Sequence, residues 1–186
     1  MQKHSRLLAE HLARSGKVEL TVLHPHGENV FDPAFGIQEV PIAPIDPGKF
    51  YLSELWRYSG RVAAELECLR PDVILSQGLC VWKGIDRFRK RLIVHPHGLE
   101  MFQGLTRRER LMGEPFRRAV RHIARRSAVV MSLGGKLTGI LEKEVKGSAC
   151  RVVVIPNAVE LPEESETRTD TAFDHAPPFV LLFVGR

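Results

Sequence analysis

Short apolar runs alternate with helical segments along most of this chain, and this alternation constrains the fold more than any other feature. The predicted strands are 18–23, 36–42, 73–76, 92–94, 128–132 and 152–155. The predicted helices cover the opening residues up to Gly16, then 51–69, 107–126 and 135–146, with a short basic helix or turn at 83–91. Such alternation favours an α/β fold, a Rossmann-like parallel sheet with helices on both faces.

The two ends of the chain predict how it is divided into domains. Residues 178–186 form a new apolar run bounded by proline and glycine, which is typical of a buried parallel strand. A polar, acidic stretch at 162–177 precedes it and is predicted to be a linker. We therefore expect a Rossmann-like domain over 1–161, whose own first strand is missing ahead of Met1, followed by the first strand of an absent second domain.

The charge distribution indicates what kind of partner the chain binds, and the number of cysteines indicates its cellular compartment. The net charge is +5, and residues 107–126 alone hold eight arginines against two glutamates. Such a concentration indicates an anionic partner. Nucleic acid is not expected, because aromatic residues do not alternate with the arginines: Phe116 is the one aromatic residue of 107–126 besides His122. Three widely spaced cysteines favour a reducing compartment, and we expect a cytoplasmic location, with peripheral attachment to the inner face of the membrane as its variant.

The arginine-rich helix allows two interpretations. Arg117, Arg121 and Arg125 are spaced by four residues and form one stripe, beside a packed side carrying Leu111, Phe116, Val120 and Ile123. The stripe is either a solvated face of a core helix or a surface that attracts anionic lipid.

Two strands end in the same tetrapeptide, His-Pro-His-Gly, at 24–27 and at 95–98. Ligands of parallel α/β sheets lie beyond the carboxyl ends of strands, and histidine there can exchange protons or bind phosphate or sugar hydroxyls. For His24 and His26 we favour turns with solvated imidazoles. For His97 we favour a functional role, because the following loop, including Gly98 and Glu100, mixes polar and apolar groups suited to a ligand.

The chain carries neither a dinucleotide-binding glycine fingerprint nor a P-loop. The pair Gly134-Gly135 could present N–H groups to an anion, but a tight strand-to-helix turn is the preferred interpretation. Asn157 suits either a turn or a site. The guanidinium of Arg186 follows Gly185 at the end of a strand, where its fork of donors suits a diphosphate.

Several segments occur in an order that resembles the amino-terminal domain of family-4 (group 1) glycosyltransferases of the GT-B fold. They are Leu8-Ala9-x-x-Leu12-Ala13, Arg70-Pro71-Asp72-Val73-Ile74, His97-Gly98-Leu99-Glu100, 127–132, Ile155-Pro156-Asn157-Ala158-Val159 and Phe183-Val184-Gly185-Arg186. The resemblance covers essentially the whole chain. Where many members have a histidine after an early strand, this chain has Gln77.

The resemblance implies one half of a two-domain architecture with a cleft between two Rossmann-like domains. This half would bind the acceptor, a carbohydrate or a lipid-linked molecule, and the other half would bind a nucleotide-diphospho-sugar. Transfer would retain the anomeric configuration and need no metal or other cofactor. The resemblance implies that His97 is catalytic, that Gly98 lies beside it, and that Arg186 with Gly185 contacts the donor diphosphate.

The remaining pocket residues are Glu100, Gln77 and Asn157, which we assign to the acceptor or sugar pocket. Without a donor-binding half, the chain by itself is expected to be inactive. Two other classes stay open. A metal-dependent hydrolase could use the two His-x-His pairs, and a non-catalytic module could bind a membrane surface through the arginine helix.

Overall fold

The computed structural model of the chain describes residues 3–96 and 98–156. Four α-helices and six strands are interspersed along these described residues, as the sequence predicts for an α/β fold. The helices are α1 (Lys3–Arg14), α2 (Tyr51–Leu69), α3 (Arg107–Ala124) and α4 (Lys136–Val145). The strands are β1 (Thr21–His24), β2 (Gln38–Pro41), β3 (Ile74–Gln77), β4 (Leu92–His95), β5 (Val129–Ser132) and β6 (Arg151–Val154).

Every strand pair is parallel, but the strands form two sheets and not one. β1 pairs with β2, and β3, β4, β5 and β6 form a four-stranded sheet in chain order. Among the described residues no strand joins β1 to β3, which leaves the outer edge of β3 without a partner. Val73, just before that strand, is accordingly 62% exposed. The single sheet expected from the sequence is therefore interrupted at this position.

The core lies between the four-stranded sheet and the helices that cover it. Leu92 and Val130 in the central strands are fully excluded from solvent, and Leu66 of α2, Ile123 of α3 and Leu141 of α4 pack into the same cluster. Burial of each such side chain stabilises the fold by roughly 1.5–3 kcal/mol. This rigid cluster holds the carboxyl ends of the strands, and the loops that leave them, in fixed positions.

Local sequence signals explain where the two longer helices end and begin. α2 stops at Leu69 because Arg70 adopts a left-handed conformation (φ 49°) and Pro71 cannot continue the helix. α3 begins at Arg107 through a capping box, in which the Thr106 hydroxyl accepts from the Glu109 N–H and the Glu109 carboxylate accepts from the Thr106 N–H.

The prediction that Leu111 lies on the packed side of α3 is wrong, because its side chain is 76% exposed. The packed face of α3 is formed by Ala119, Val120, Ile123 and Ala124, in its second half. In the described part of the chain, none of the helices has the length and apolar character that a membrane span requires.

The described residues end at Pro156. The predicted linker at 162–177 and the predicted strand at 178–186 lie outside them, and the boundary of the first domain at residue 161 stays a prediction.

Candidate functional site

The carboxyl ends of the central strands bring several polar residues to one edge of the sheet. Gln77 ends β3, His95 ends β4 and Ser132 ends β5. Gln77 is the register partner of His95, and the N–H of Gly78 donates to the His95 carbonyl at 2.9 Å. Loops that follow parallel strands leave from this edge, which is where ligands of such sheets bind.

Gln77 presents a buried oxygen at this edge. Its Oε1 is shielded from solvent, and no described residue donates a hydrogen bond to it. The neighbouring Ser76 hydroxyl, on a residue that is 3% exposed, is likewise without a partner among the described residues. A buried acceptor without a donor is unfavourable by about 1–3 kcal/mol. The edge thus carries an acceptor atom with no described donor, and the assignment of Gln77 to the acceptor or sugar pocket stays a prediction.

The structure brings Gly98 and Glu100 together after β4. The carboxylate of Glu100 lies so close to the Gly98 Cα that a Cβ at position 98 would collide with both of its oxygens. Glu100 is exposed and begins a single 3-10 turn, Glu100–Phe102. Glycine at position 98 is thus what allows an accessible carboxylate to fold back over the backbone at this edge.

The loop that carries this pair is fastened from both sides. Leu99 is 1% exposed and anchors the loop in the core. On the other side, Nη1 of Arg117 donates to the Met101 carbonyl at 2.8 Å. A Cβ at Gly113 would lie 3.1 Å from that same carbonyl, so the absence of a side chain there permits α3 to approach the loop closely.

Arg117 is held in this position by a carboxylate on its own helix. Its Nε and Nη2 donate to Glu114 Oε2 at 2.9 and 2.6 Å, and Nη2 also donates to the Arg110 carbonyl. Arg118 donates to the other oxygen of Glu114 at 3.0 Å. Hydrogen bonds from Arg117 and then Arg118 lower the pKa of Glu114, which keeps this carboxylate ionised.

Arg117, Arg121 and Arg125, predicted as one stripe, contact two different parts of the protein. Arg117 is only 16% exposed and faces the loop after β4. Arg121 forms an ion pair with Glu144 of α4, which raises the pKa of Arg121, and Arg125 donates to the Glu144 carbonyl at 3.5 Å. The interpretation of the stripe as a solvated face therefore does not hold for Arg117. The assignment of these three residues to a membrane surface stays a prediction.

His24 forms a buried pair that the sequence did not indicate. Its Nε2 lies 2.9 Å from Glu39 Oε2 on the neighbouring strand, and the two side chains are 2% and 5% exposed. Glu39 also accepts from the N–H groups of Val30 and Phe31 at 2.6 and 3.3 Å. The expectation of a solvated imidazole at His24 is therefore wrong, because the side chain is buried against Glu39. Through Glu39, the loop after β1 is hydrogen-bonded to β2.

Burial raises the pKa of the Glu39 carboxyl, but the hydrogen bonds from Val30 and Phe31 and the contact with His24 outweigh it, and the net pKa is lowered. In the register of β1 against β2, His24 lies opposite Pro41 and Glu39 lies opposite Val22, so the two side chains meet diagonally across the parallel strands. A sequence does not state this register, which is why it did not reveal the pair.

The two glycines before α4 form a strand-to-helix turn, as preferred from the sequence. Gly134 and Gly135 have φ of 101° and 61°, which are conformations that other residues rarely adopt. The Ser132 hydroxyl accepts from the Gly134 N–H at 3.1 Å and contacts the Thr138 hydroxyl at 2.8 Å. These contacts fasten the loop after β5 just as Arg117 fastens the loop after β4.

Four predicted site residues lie outside the described residues: His97, Asn157, Gly185 and Arg186. Within the ranges 3–96 and 98–156, no group of three or more His, Cys, Asp and Glu side chains is arranged to hold a metal ion. The three thiols, at Cys68, Cys80 and Cys150, are free. Burial raises the pKa of Cys80 to about 11, so this thiol stays protonated and unreactive at neutral pH.

Comparison with known proteins gives one match. The sequence profile of the family described as Glycosyltransferase Family 4 matches residues 1–163. No curated protein and no solved structure matches the chain. A match of this extent covers all the described strands and helices as well as the edge that carries Gln77, Gly98 and Glu100. The chain therefore belongs to glycosyltransferase family 4.

Proposed function

We propose that this chain supplies the acceptor-binding half of a hexosyltransferase, which moves a sugar from a nucleotide-diphospho-sugar to a carbohydrate or lipid-linked acceptor. The reaction retains the anomeric configuration and is independent of metal ions. It takes place in the cytoplasm, in the synthesis of a polysaccharide or a glycolipid. Membership of glycosyltransferase family 4 supports a sugar-transferring domain. The donor type, the retained configuration and the independence of metal ions are what the family resemblance implies.

The observation that carries the proposal is the arrangement at the carboxyl edge of the sheet. There the buried acceptor atom of Gln77 lies on the strand next to β4, which leads to the exposed carboxylate of Glu100. A sugar is recognised by its hydroxyls, which donate and accept hydrogen bonds at once. An amide oxygen that lacks a donor and a carboxylate that is open to solvent are both acceptors for such hydroxyls.

Each residue has a proposed role. His97 is the catalytic residue and orients the transferred sugar by a hydrogen bond, while Gly98 allows the backbone to approach the sugar closely. Glu100, Gln77 and Asn157 bind hydroxyls of the acceptor or of the sugar.

At the donor side, Arg186 stabilises the departing diphosphate and Gly185 permits its approach. Negative charge develops on the leaving group during transfer, and a fixed guanidinium provides the compensating positive charge that a metal ion supplies in other transferases. This role is compatible with transfer without a metal ion, which the family resemblance implies.

A transfer assay on the natural full-length protein tests the proposal. The protein is incubated with nucleoside-diphospho-hexoses and with sugar or polyprenyl-phosphate acceptors, with and without a chelator. We expect release of the nucleoside diphosphate that requires an acceptor and is unchanged by the chelator. Nuclear magnetic resonance of the product should show the anomeric configuration of the donor. Inversion of that configuration, or activity that is lost with the chelator and restored by a divalent ion, would contradict the proposed mechanism.

The variant Glu100→Gln tests the assigned pocket. The amide keeps the size of the side chain but removes its charge and one acceptor, and we expect the acceptor KM to rise by about ten-fold. Glu109→Gln is the matched control. Glu109 is also exposed and lies nearby in the first turn of α3, but its carboxylate serves in the capping box of that helix. An unchanged KM in Glu100→Gln would remove this residue from the pocket.

A further inference from the structure

The first turns of α3 expose an unusual amount of apolar surface. Leu105, Leu111 and Met112 are 88%, 76% and 67% exposed. Single exposed apolar residues are common, but three large ones within eight positions of one helix and its entry form a patch. None of the three contributes to the core, so the core does not explain why they are apolar.

Aromatic residues from the start of α2 add exposed apolar surface beside α3. The Tyr51 and Phe116 rings stack with centroids 6.0 Å apart, which joins the beginning of α2 to the middle of α3. Phe50, one residue earlier, is 73% exposed and Tyr51 is 52% exposed. We call this surface the α2–α3 apolar face; it consists of Phe50, Tyr51, Leu105, Leu111, Met112 and Phe116.

Two arginines whose charge no described carboxylate neutralises lie beside the α2–α3 apolar face. Arg107 and Arg108 are exposed in the first turn of α3, between Leu105 and Leu111. Among the described residues no carboxylate pairs with either guanidinium. The nearest acids along the helix already have partners, since Glu109 caps the helix and Glu114 binds Arg117 and Arg118. Within residues 3–96 and 98–156, the two arginines therefore place unpaired positive charge beside the exposed leucines.

We infer that the α2–α3 apolar face docks on the surface of an anionic lipid bilayer. Leucine, methionine and aromatic side chains enter the boundary between headgroups and acyl chains, while adjacent arginines bind lipid phosphates. The alternation of Leu105, Arg107, Arg108, Leu111 and Met112 puts both kinds of group on one helix end. This assignment differs from that of Arg117, Arg121 and Arg125, whose charges contact other parts of the protein.

The α2–α3 apolar face adjoins the loop that carries the proposed acceptor site. The loop of Gly98 and Glu100 continues directly into Leu105 and α3, and Arg110 fastens the two by donating to the Gly104 carbonyl at 3.1 Å. Docking would bring the sugar-transfer edge to the bilayer, where a lipid-linked acceptor is found. This consequence rests on the proposed function, but the docking does not, and vesicle binding is measured without any transfer reaction.

The charge contribution is tested by cosedimentation of the chain with phosphatidylcholine vesicles that do or do not contain phosphatidylglycerol. Each arginine near an anionic surface contributes roughly a factor of five in affinity, so Arg107→Gln with Arg108→Gln should weaken binding about thirty-fold. The matched control is Arg89→Gln with Arg151→Gln. It removes two exposed arginines from the amino ends of strands, at the opposite edge of the sheet, and should change binding less than three-fold. Equal weakening by both pairs would overturn the inference, since it would show only the effect of net charge.

The apolar contribution is tested by Leu111→Gln with Met112→Gln, which preserves helix propensity and should weaken binding by about ten-fold or more. Circular dichroism should be unchanged, because both side chains are exposed. The control Val18→Thr with Val73→Thr alters apolar residues elsewhere, which are 49% and 62% exposed, and should have no effect. Unaltered binding by the first pair would overturn the inference. So would a dimer, seen by sedimentation velocity without lipid, that the first pair abolishes, because a second copy would then occupy the face.

Discussion

The contact between Arg117 and the loop after β4 leads to a quantitative prediction. In Arg117→Gln, the side chain is too short to reach the Met101 and Arg110 carbonyls while also bonding Glu114. Hydrogen bonds to charged groups contribute about 1.5–3 kcal/mol each, and partial access of water to the vacated carbonyls reduces the loss. With a side chain that is 16% exposed, we expect the free energy of unfolding to fall by about 2–3 kcal/mol.

Thermal unfolding followed by circular dichroism measures this loss. For a chain of this size, 1 kcal/mol corresponds to about 2–4 °C in Tm, so Arg117→Gln should lower Tm by about 5–10 °C. Arg118→Gln is the matched control, because Arg118 bonds the same carboxylate but is 76% exposed. Its Tm should change by no more than about 1–2 °C, since exposed ion pairs contribute little.

Hydrogen exchange separates a local effect from a global one. The N–H groups of Phe102 and Gln103 donate within the 3-10 turn to the Leu99 and Glu100 carbonyls at 2.9 Å. In Arg117→Gln these two amides should exchange faster than amides of β5. Arg117→Lys keeps the charge but not the fork of donors, so it should restore less than half of the lost stability. If Arg117→Gln and Arg118→Gln prove equally mild, Arg117 does not hold the loop, and the reasoning is wrong.

Three further predictions concern single groups. Because the pKa of Glu39 is lowered in the folded state, its stabilisation is fully present above about pH 5, near its unfolded pKa, and is lost as the pH falls through the folded value. The Tm difference between wild type and Glu39→Gln should therefore shrink from pH 7 to pH 4, whereas the exposed control Glu28→Gln should show no such trend. Gly98→Ala should displace the Glu100 carboxylate and reduce transfer activity at least ten-fold while changing Tm by less than about 2 °C, because the displaced group is the free end of a side chain; activity within two-fold of wild type would contradict this. Gly139→Ala in α4 should raise the free energy of unfolding by about 0.5–1 kcal/mol in urea titrations, because its added Cβ meets no atom within 4 Å; a loss of stability would disprove it.

The regular elements were predictable because their signals are local. Helix α2 spans Tyr51–Leu69 as the periodicity predicts, and it ends where a proline two residues later forbids continuation. α3 begins at Arg107 because Thr106 and Glu109, three residues apart, form a capping box. Polar residues at the ends of β3 and β4 could also be assigned to one edge, since parallel strands share a direction.

Features that depend on distant partners could not be predicted. Helical spacing placed Leu111 on the packed side of α3, but spacing does not reveal that the buried residues of this helix all lie in its second half. In the same way, the stripe of Arg117 and Arg121 follows from spacing, while the loop and helix that receive these side chains do not. The buried pair of His24 and Glu39 required the register of β1 against β2, which tertiary packing decides.

The most direct test of the central claim, that the edge after β4 carries out sugar transfer, compares the two histidines at equivalent places in the repeated His-Pro-His-Gly segments. His97→Ala and the matched control His26→Ala are assayed in the natural full-length protein for release of nucleoside diphosphate in the presence of acceptor. We predict that His97→Ala lowers kcat by about 100-fold or more with an unchanged Tm, which is the usual effect of removing a group that contacts the transition state, and that His26→Ala keeps more than half of the activity. If His97→Ala keeps more than half of the wild-type turnover, this edge is not the site of transfer.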